Sequence, residues 1–112
     1  MSSDRSPAHD TNPAPVFAAL GDRTRLSLLA KLSDGQPLSI TRLSADIKLT
    51  RQAITKHLRV LENAGLVSST RVGRESQFAF RPEPVVEVRS YLDRVSKHWD
   101  DTLSRLRSVV ER

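Results

Sequence analysis

A mainly helical fold with one small β-hairpin is what this sequence predicts, and three observations predict it. Apolar residues recur at spacings of three and four in short segments punctuated by Gly, Pro and capping residues, the mark of amphipathic helices. A single stretch, Leu66 to Val72, is rich in β-branched residues and is followed, beyond Gly73-Arg74, by Gln77-Phe78-Ala79-Phe80, which reads as two strands and a turn. The last segment carries Val85, Val88, Leu92, Val95, Trp99, Leu103, Leu106 and Val110 at intervals of three and four, one apolar stripe along a long helix.

Residues 1–12 are Ser, Asp, Pro, Thr, His and Asn with almost nothing to bury, so a disordered arm is expected there. Asn12 can cap a helix starting at Pro13, since the donor that proline lacks has no partner in a first turn; Pro15 falls in the same turn. Val16, Phe17 and Leu20 share one face of this helix, and Gly21 is expected to end it in the left-handed conformation. Asp22 opens a second helix, about Arg23 to Ser33, with Leu26, Leu29, Ala30 and Leu32 on or near one stripe, Leu28 at its border and Asp34-Gly35 closing it. After a break at Gln36-Pro37, Ser39 caps a short helix of about Ile40 to Ile47. Lys48-Leu49-Thr50 is a tight connection, and Thr50 caps a further helix that turns Ala53, Ile54, Leu58 and Leu61 inward, runs to Ala64 and stops at Gly65. Two short helices joined by such a turn, the second one basic, form a helix-turn-helix. The hairpin follows, and Pro82 and Pro84 lead from it into the final helix.

Three regions result: an arm over 1–12, a helix-turn-helix unit over 13–84 and a long helix over 85–112. That helix would be about 42 Å long, more than a domain of this size is wide. Part of its stripe must therefore be covered by something outside its own core.

The chain has 112 residues and no cysteine. This length fits one domain and little more, which argues against a two-domain enzyme. Its 38% apolar content, with four Gly, lies below the globular average of about 45–50%, so a partner subunit is expected to complete a thin core. Disulfides, thiolate metal sites and cysteine nucleophiles are excluded, in agreement with a reducing cytoplasm. The longest apolar run, Val16 to Leu20, is far short of the roughly 20 residues that cross a bilayer. The first residues lack the apolar stretch of a secretory signal, so a cytoplasmic location and no membrane partner are expected. Serines and three histidines occur without a glycine-rich phosphate loop or an elbow-like turn around a serine; Ser27, Ser44 and Ser90 read as helix-surface residues. No catalytic residue and no cofactor is expected.

The formal net charge is +5, and residues 41–74 carry all of it: Arg42, Lys48, Arg51, Lys56, Arg59, Arg71 and Arg74 stand against Asp46 and Glu62, while the remainder balances. A concentrated basic stretch is the footprint of a polyanion binder, although by charge alone a solvated basic face fits as well. Position separates the two. The second helix of a helix-turn-helix enters the major groove, and here its outward side offers Arg51, Gln52, Thr55, Lys56 and Arg59, with Thr50 at its start. Arg can bond guanine O6 and N7 together, Gln can do so with adenine N6 and N7, and Thr and Lys suit phosphates or single acceptors. An ordinary solvated helix would mix in more acid than the lone Glu62. Arg71 and Arg74 flank the hairpin turn just beyond, within reach of the neighbouring minor groove or backbone. His57 borders the apolar side, where packing and a phosphate or base contact are both open.

The runs Leu20-Gly21-Asp22-Arg23-Thr24-Arg25, Leu38-Ser39-Ile40-Thr41-Arg42-Leu43 and Ala53-Ile54-Thr55-Lys56-His57-Leu58-Arg59-Val60-Leu61-Glu62-Asn63-Ala64-Gly65-Leu66-Val67 resemble the ArsR-type (ArsR/SmtB) bacterial winged-helix repressors. The resemblance extends from about Val16 to the final helix and is most specific over Thr55 to Val67. It implies a winged helix-turn-helix and a homodimer joined largely through its first and last helices, binding a palindromic promoter operator to repress transcription. It thereby places Val16, Phe17 and Leu20 of the first helix, and Leu92, Val95, Trp99, Leu103 and Leu106 of the last, at the dimer interface. Where the family often has Gln-Pro, this chain has Arg51-Gln52, which bears on base preference. Many relatives bind a metal through a Cys-x-Cys pair whose matching positions here are Ser39 and Thr41, and neutral hydroxyls are poor ligands for soft metals. Others use Asp and His of paired final helices; Asp93, His98 and Asp101 are the candidates, and a second His is missing. His9 and Asp10 are weaker still. No metal is expected, while a small-molecule effector between the long helices stays open.

These observations lead to a sequence-specific DNA-binding repressor, a homodimer with double-stranded DNA as its partner. Arg51, Gln52, Thr55 and Lys56 meet the major groove, Arg59 holds phosphates, and Arg71 with Arg74 clamps the flank. A rival from another class is a protein-interaction module that docks through its long helix and leaves the basic face incidental. Salt separates the two, because DNA binding releases counterions. A membrane-surface binder is opposed by Glu87, Asp93, Asp100, Asp101 and Glu111 on the final helix, which anionic lipid would repel. Trp99 and Leu103, mid-stripe on the final helix, are the residues that test the dimer, the alternative for Trp99 being that it packs within its own subunit.

Overall fold

The computed structural model describes residues 12–111, so the arm expected over 1–12 lies, save for Asn12, outside the described residues. The elements are α1 (Ala14–Leu20), α2 (Arg23–Leu32), β1 (Leu38–Ser39), α3 (Ile40–Leu43), α4 (Arg51–Asn63), β2 (Val67–Val72), β3 (Glu75–Phe80) and α5 (Glu83–Val110). This is the mainly α, winged helix-turn-helix architecture, with the sheet one strand larger than the hairpin predicted.

The first helix starts later than its sequence suggests. Pro13 is its N-cap, and Asn12 Oδ1 accepts from the Ala14 N–H at 3.0 Å, closing the turn before the helix instead of capping its inner donors. Gly21 ends α1 at φ −81°, not in the left-handed conformation expected, and its N–H bonds Ala18 O at 3.2 Å. The reason is the short connection: Asp22 already serves as N-cap of α2, its Oδ2 accepting from the Arg25 N–H at 3.0 Å, so no residue is left over for a left-handed cap turn. Within α2, Leu28, Leu29 and Leu32 are buried, whereas Leu26 and Ala30, expected on the inward stripe, are exposed. The stripe is rotated because Arg25 takes the inward flank, where its guanidinium bonds carbonyls of α1.

The helix expected over Ile40 to Ile47 ends at Leu43. Ser44 N–H makes the last helical bond to Ile40 O at 2.9 Å, and Ser44 Oγ donates to the same oxygen at 2.8 Å, a side-chain bond of the kind that competes with continuing the helix. Leu43 is nonetheless buried, with Ile40 and Ile47 half-buried beside it. Lys31 fastens this turn to α2 by donating to Leu43 O at 2.8 Å and by pairing with Asp46. The Lys31 hydrogen bond holds the Asp46 carboxyl below its ordinary range. Ser39, the cap of α3, also belongs to β1, which sequence reading missed because a two-residue strand has no period to detect.

Helix α4 behaves as read, capped by Thr50 Oγ1 on the Ala53 N–H at 3.0 Å, with Ile54, Leu58 and Leu61 fully buried and Ala53 only half-buried. It stops at Gly65, whose φ is +78°. There the Leu66 N–H bonds Leu61 O and the Gly65 N–H bonds Glu62 O, both at 2.9 Å. This is the paired-bond helix stop that needs a left-handed residue, and the apolar contact that accompanies it is Leu66 with Leu61, both buried. The antiparallel sheet runs in the order β1-β3-β2, with Leu38 opposite Phe78 and Val72 opposite Glu75. Gly73 alone has positive φ in the two-residue loop, the pattern of a type II′ hairpin turn.

The core joins Ala19 of α1, the leucines of α2, Leu43, the inward row of α4, Leu66, Val67, Phe78 and Val88. Val16, assigned to the dimer interface, lies within this core, because the rotation of α1 that seats Ala19 also seats the residue three before it. Along α5 Val88 is buried and Val95 half-buried, but Trp99 is 58% exposed, with Leu92, Leu103 and Leu106 alongside it. The alternative in which Trp99 packs inside its own subunit does not hold. Near its start α5 is held against α1 by Phe17 and Tyr91, ring centroids 6.0 Å apart at 68°, an edge-to-face contact.

Candidate nucleic-acid interface

With Ile54, Leu58 and Leu61 anchored in the core, α4 can present only one side outward. Gln52, Thr55, Lys56 and Arg59, at relative positions 0, 3, 4 and 7, occupy it; Thr55 is half-buried and the other three are exposed. Arg51, Gln52, Thr55 and Lys56 line an open concave site of about 450 Å³. Two of these side chains are already oriented. Arg51 Nη1 donates to Thr41 Oγ1 at 3.2 Å, tying it to the first helix of the motif. Thr55 Oγ1 donates to Arg51 O at 2.9 Å, which spends its proton on its own helix and leaves lone pairs and a methyl group for a partner. Thr50 sits at the same end with its hydroxyl engaged as the cap.

His57 is placed differently from the other eight residues assigned to DNA. Its Nδ1 lies 3.1 Å from Arg25 Nη1 and 3.7 Å from Asp22 Oδ2, and the ring is half-buried between α4 and α2. Of the two roles the sequence left open, these contacts belong to the packing one. The backbone N–H of Arg25 bonded to Asp22 keeps that carboxyl below its ordinary range, and the charge of Arg25 acts in the same direction.

The wing stands next to α4 and is fastened to it. Ser69 Oγ donates to Glu62 Oε2 at 2.8 Å, so the one acid on α4 is turned toward the base of β2. Arg71 near the end of β2 and Arg74 in the turn are exposed. Among the described residues no acidic side chain forms an ion pair with Arg51, Lys56, Arg59, Arg71 or Arg74. Unneutralised cations on one surface raise the local potential for an anionic partner. Thr41 and Arg25 were missed by sequence reading as contributors. In the sequence Thr41 stands out as part of a motif and as a metal-ligand position, and Arg25 as part of a motif, because neither spacing nor charge signals a contact between separate helices.

Phe17 and Leu20 are half-buried on α1, and the stripe of α5 from Leu92 through Trp99, Leu103 and Leu106 is exposed. A row of large apolar side chains of this length, uncovered among the described residues, is the kind of surface through which proteins associate. Among the described residues no group of three or more metal-ligating side chains comes together, and no helix is long and apolar enough to cross a membrane.

Residues 22–69 match the family described as bacterial regulatory protein, arsR family. The HTH-type transcriptional regulator YuzN of Bacillus subtilis is 44% identical over an 80-position alignment that covers 66% of this chain and 87% of YuzN. The HTH-type transcriptional regulator Rv2034 of Mycobacterium tuberculosis is 33% identical over 100 residues, covering 89% of this chain and 90% of that one. Among solved structures, an ArsR-like transcriptional regulator from Rhodococcus sp. RHA1 superposes with a TM-score of 0.74 at 36% identity, over 87% of this chain and 91% of its own.

Proposed function

The chain belongs to the ArsR family of bacterial regulatory proteins, regulators of transcription and not enzymes, and from that premise we propose that it is a homodimeric repressor reading a palindromic operator. The observation that carries this is the outward side of α4, where Gln52, Thr55, Lys56 and Arg59 stand over a fully buried apolar row and no acid pairs with the two cations among the described residues.

In this reading α4 lies in the major groove. Arg51 and Gln52 reach base edges, where their planar, paired bonding groups distinguish guanine and adenine, and Thr55 and Lys56 complete the contact. Arg59 bonds phosphate beside the groove. Arg71 and Arg74 carry the wing onto the flanking backbone or minor groove, a contact that fixes register without reading sequence. The dimer is built from Phe17 and Leu20 of α1 and from Leu92, Val95, Trp99, Leu103 and Leu106 of α5. A two-fold axis there presents two recognition helices to half-sites about 34–36 Å apart, one turn of the duplex. Seated on a promoter, such a dimer represses by occupying the surface that polymerase needs.

A footprint on the DNA upstream of the protein's own gene tests this. Protection of two half-sites about ten base pairs apart, centre to centre, is the expected result. Absence of protection there, together with no sequence enriched from a random duplex pool, would overturn it. Repeating the footprint with candidate small molecules asks whether an effector releases the dimer.

A further inference from the structure

We infer that Arg25 is a positioning residue for the recognition helix, setting the seat of α4 by bonding at once the last carbonyls of α1 and the imidazole of His57. The inference rests on the reading of α4 as the helix that meets DNA. Arg25 Nε donates to Ala19 O at 2.7 Å, Nη2 to Ala18 O at 3.3 Å and Nη1 to His57 Nδ1 at 3.1 Å. A guanidinium is a rigid planar fork, so these bonds cannot shift independently.

Both carbonyls belong to the last turn of α1, where they carry the negative end of the helix dipole; Ala18 O is shared with the Gly21 N–H at 3.2 Å. Only Gly21 and Asp22 separate α1 from α2, a connection too short to fix an angle by packing of its own. Arg25 closes it from below, while its own backbone N–H is bound by the capping Asp22. Because the guanidinium can only donate, His57 Nδ1 accepts and the ring proton sits on Nε2. Asp22 Oδ2, 3.7 Å from the same nitrogen, stands behind the pair as a counter-charge to Arg25.

His57 follows Thr55 and Lys56 directly and precedes Arg59 by two residues, so a roll of α4 at His57 displaces each outward residue. Base contacts tolerate little displacement, whereas contacts with phosphate are more forgiving. Losing the bridge should therefore cost discrimination between sequences more than it costs affinity for duplex as such. The same bridge makes the seating of α4 answer to α1, the helix whose Phe17 lies against Tyr91 of α5.

The test uses the full chain as wild type, Arg25→Lys, His57→Leu, His57→Asn and the Arg25→Lys/His57→Leu double variant. The probes are the duplex that wild type enriches from a random pool and a scrambled duplex of equal length and composition; the unfolding midpoint and oligomeric state are recorded for each protein. Arg25→Lys keeps the charge without the fork, and His57→Leu removes the acceptor; each should lower the ratio of selected to scrambled affinity about tenfold. Affinity for the scrambled duplex and its salt dependence should stay within about twofold of wild type, since phosphate contacts set both. The double variant should lose no more than either single one, the mark of one shared contact. His57→Asn, whose Oδ1 can accept in place of Nδ1, should recover the ratio. The inference is overturned if folded Arg25→Lys and His57→Leu discriminate as wild type does, if their losses add, or if His57→Asn falls with His57→Leu. Should Arg25→Lys not fold, the contrast between the two His57 variants decides alone. A pool from which wild type enriches nothing overturns the DNA reading and this inference with it; enrichment with unaffected variants overturns this inference only.

Discussion

Arg74→Ala puts the phosphate role of the wing to a quantitative test. Arg74 occupies the second position of the turn between β2 and β3, exposed and, among the described residues, without an acidic partner. Arg59, Arg71 and Arg74 are the cations assigned to phosphate, three per protomer and six in the proposed dimer. Each neutralised phosphate adds about −0.9 to the slope of log K against log salt, so wild type should show about −5.4 and the variant, lacking two, about −3.6. Between about 50 and 200 mM salt the wild-type affinity should then fall about 1,800-fold and the variant's about 150-fold. Anisotropy titrations of labelled selected and scrambled duplexes at several salt concentrations measure both slopes. The loss at low salt should be equal on the two duplexes, because a phosphate contact carries no sequence information. A variant slope equal to that of wild type would refute the assignment of Arg74. A wild-type slope near zero would refute the DNA reading itself and favour association through α5.

Four further outcomes are expected. Arg51→Ala should relax preference at one base pair per half-site, by about 1–3 kcal/mol, in a panel of single-substitution duplexes; an unchanged preference would remove Arg51 from base reading. Trp99→Asp should sediment as a folded monomer, since a charge would stand in the proposed interface while Trp99 makes little contribution to its own core; an intact dimer would count against α5 as the junction. Leu28→Ala should lower unfolding stability by about 2–5 kcal/mol, while the exposed Leu26, truncated likewise, should change it by no more than about 0.5 kcal/mol; denaturant midpoints compare them, and equal losses would mean that the α2 register is wrong. Asp22 and Asp46 both hold their protons less readily than the ordinary value of 3.8, so on acidification the unfolded chain takes up protons first. Their contribution to stability is therefore present above pH 3.8 and is lost as pH falls through their lowered values. Asp22→Asn and Asp46→Asn should each flatten the acid limb of a stability profile, and an unaltered limb would show that the Arg25 and Lys31 contacts do not persist in solution.

Much of this fold was legible because its punctuation is local. Thr50 and Ser39 are caps, Gly65 is a left-handed stop and Gly73 opens the wing turn, and each works through its own few neighbouring backbone groups. Gly21 shows where that reasoning ends. The same residue type fails to adopt the left-handed cap because the very next residue, Asp22, already caps the next helix, a fact about the neighbouring element and not about glycine. Leu26 and Leu28 mark a second limit: both fit a helical stripe, and which of them faces inward depends on where Arg25 finds acceptors on α1. The site divides along the same line. Outward residues of α4 follow from its apolar row by periodicity alone, whereas the contacts of His57 and Thr41 join residues 32 and 10 positions apart in the chain and leave no trace in spacing.

The two surfaces of this protein are separated along the chain, since the basic side chains occupy α4 and the wing while the large exposed apolar ones occupy α5. In the proposed dimer a palindrome is read only when two copies of α4 are held at a fixed distance, so the proposed α5 interface would have to determine how α4 is placed, yet α4 has no exposed apolar stripe through which to be placed directly. Within one subunit the connection runs through α1: Phe17 meets Tyr91 of α5 on one side, and the carbonyls of Ala18 and Ala19 receive Arg25, which holds His57 of α4, on the other. A shift of α1 against α5 therefore reaches the reading helix through hydrogen bonds of fixed geometry instead of through loose packing. In the proposed dimer, an effector lodged between the long helices would act through this same link, by displacing α1 against α5 and with it the seat of α4.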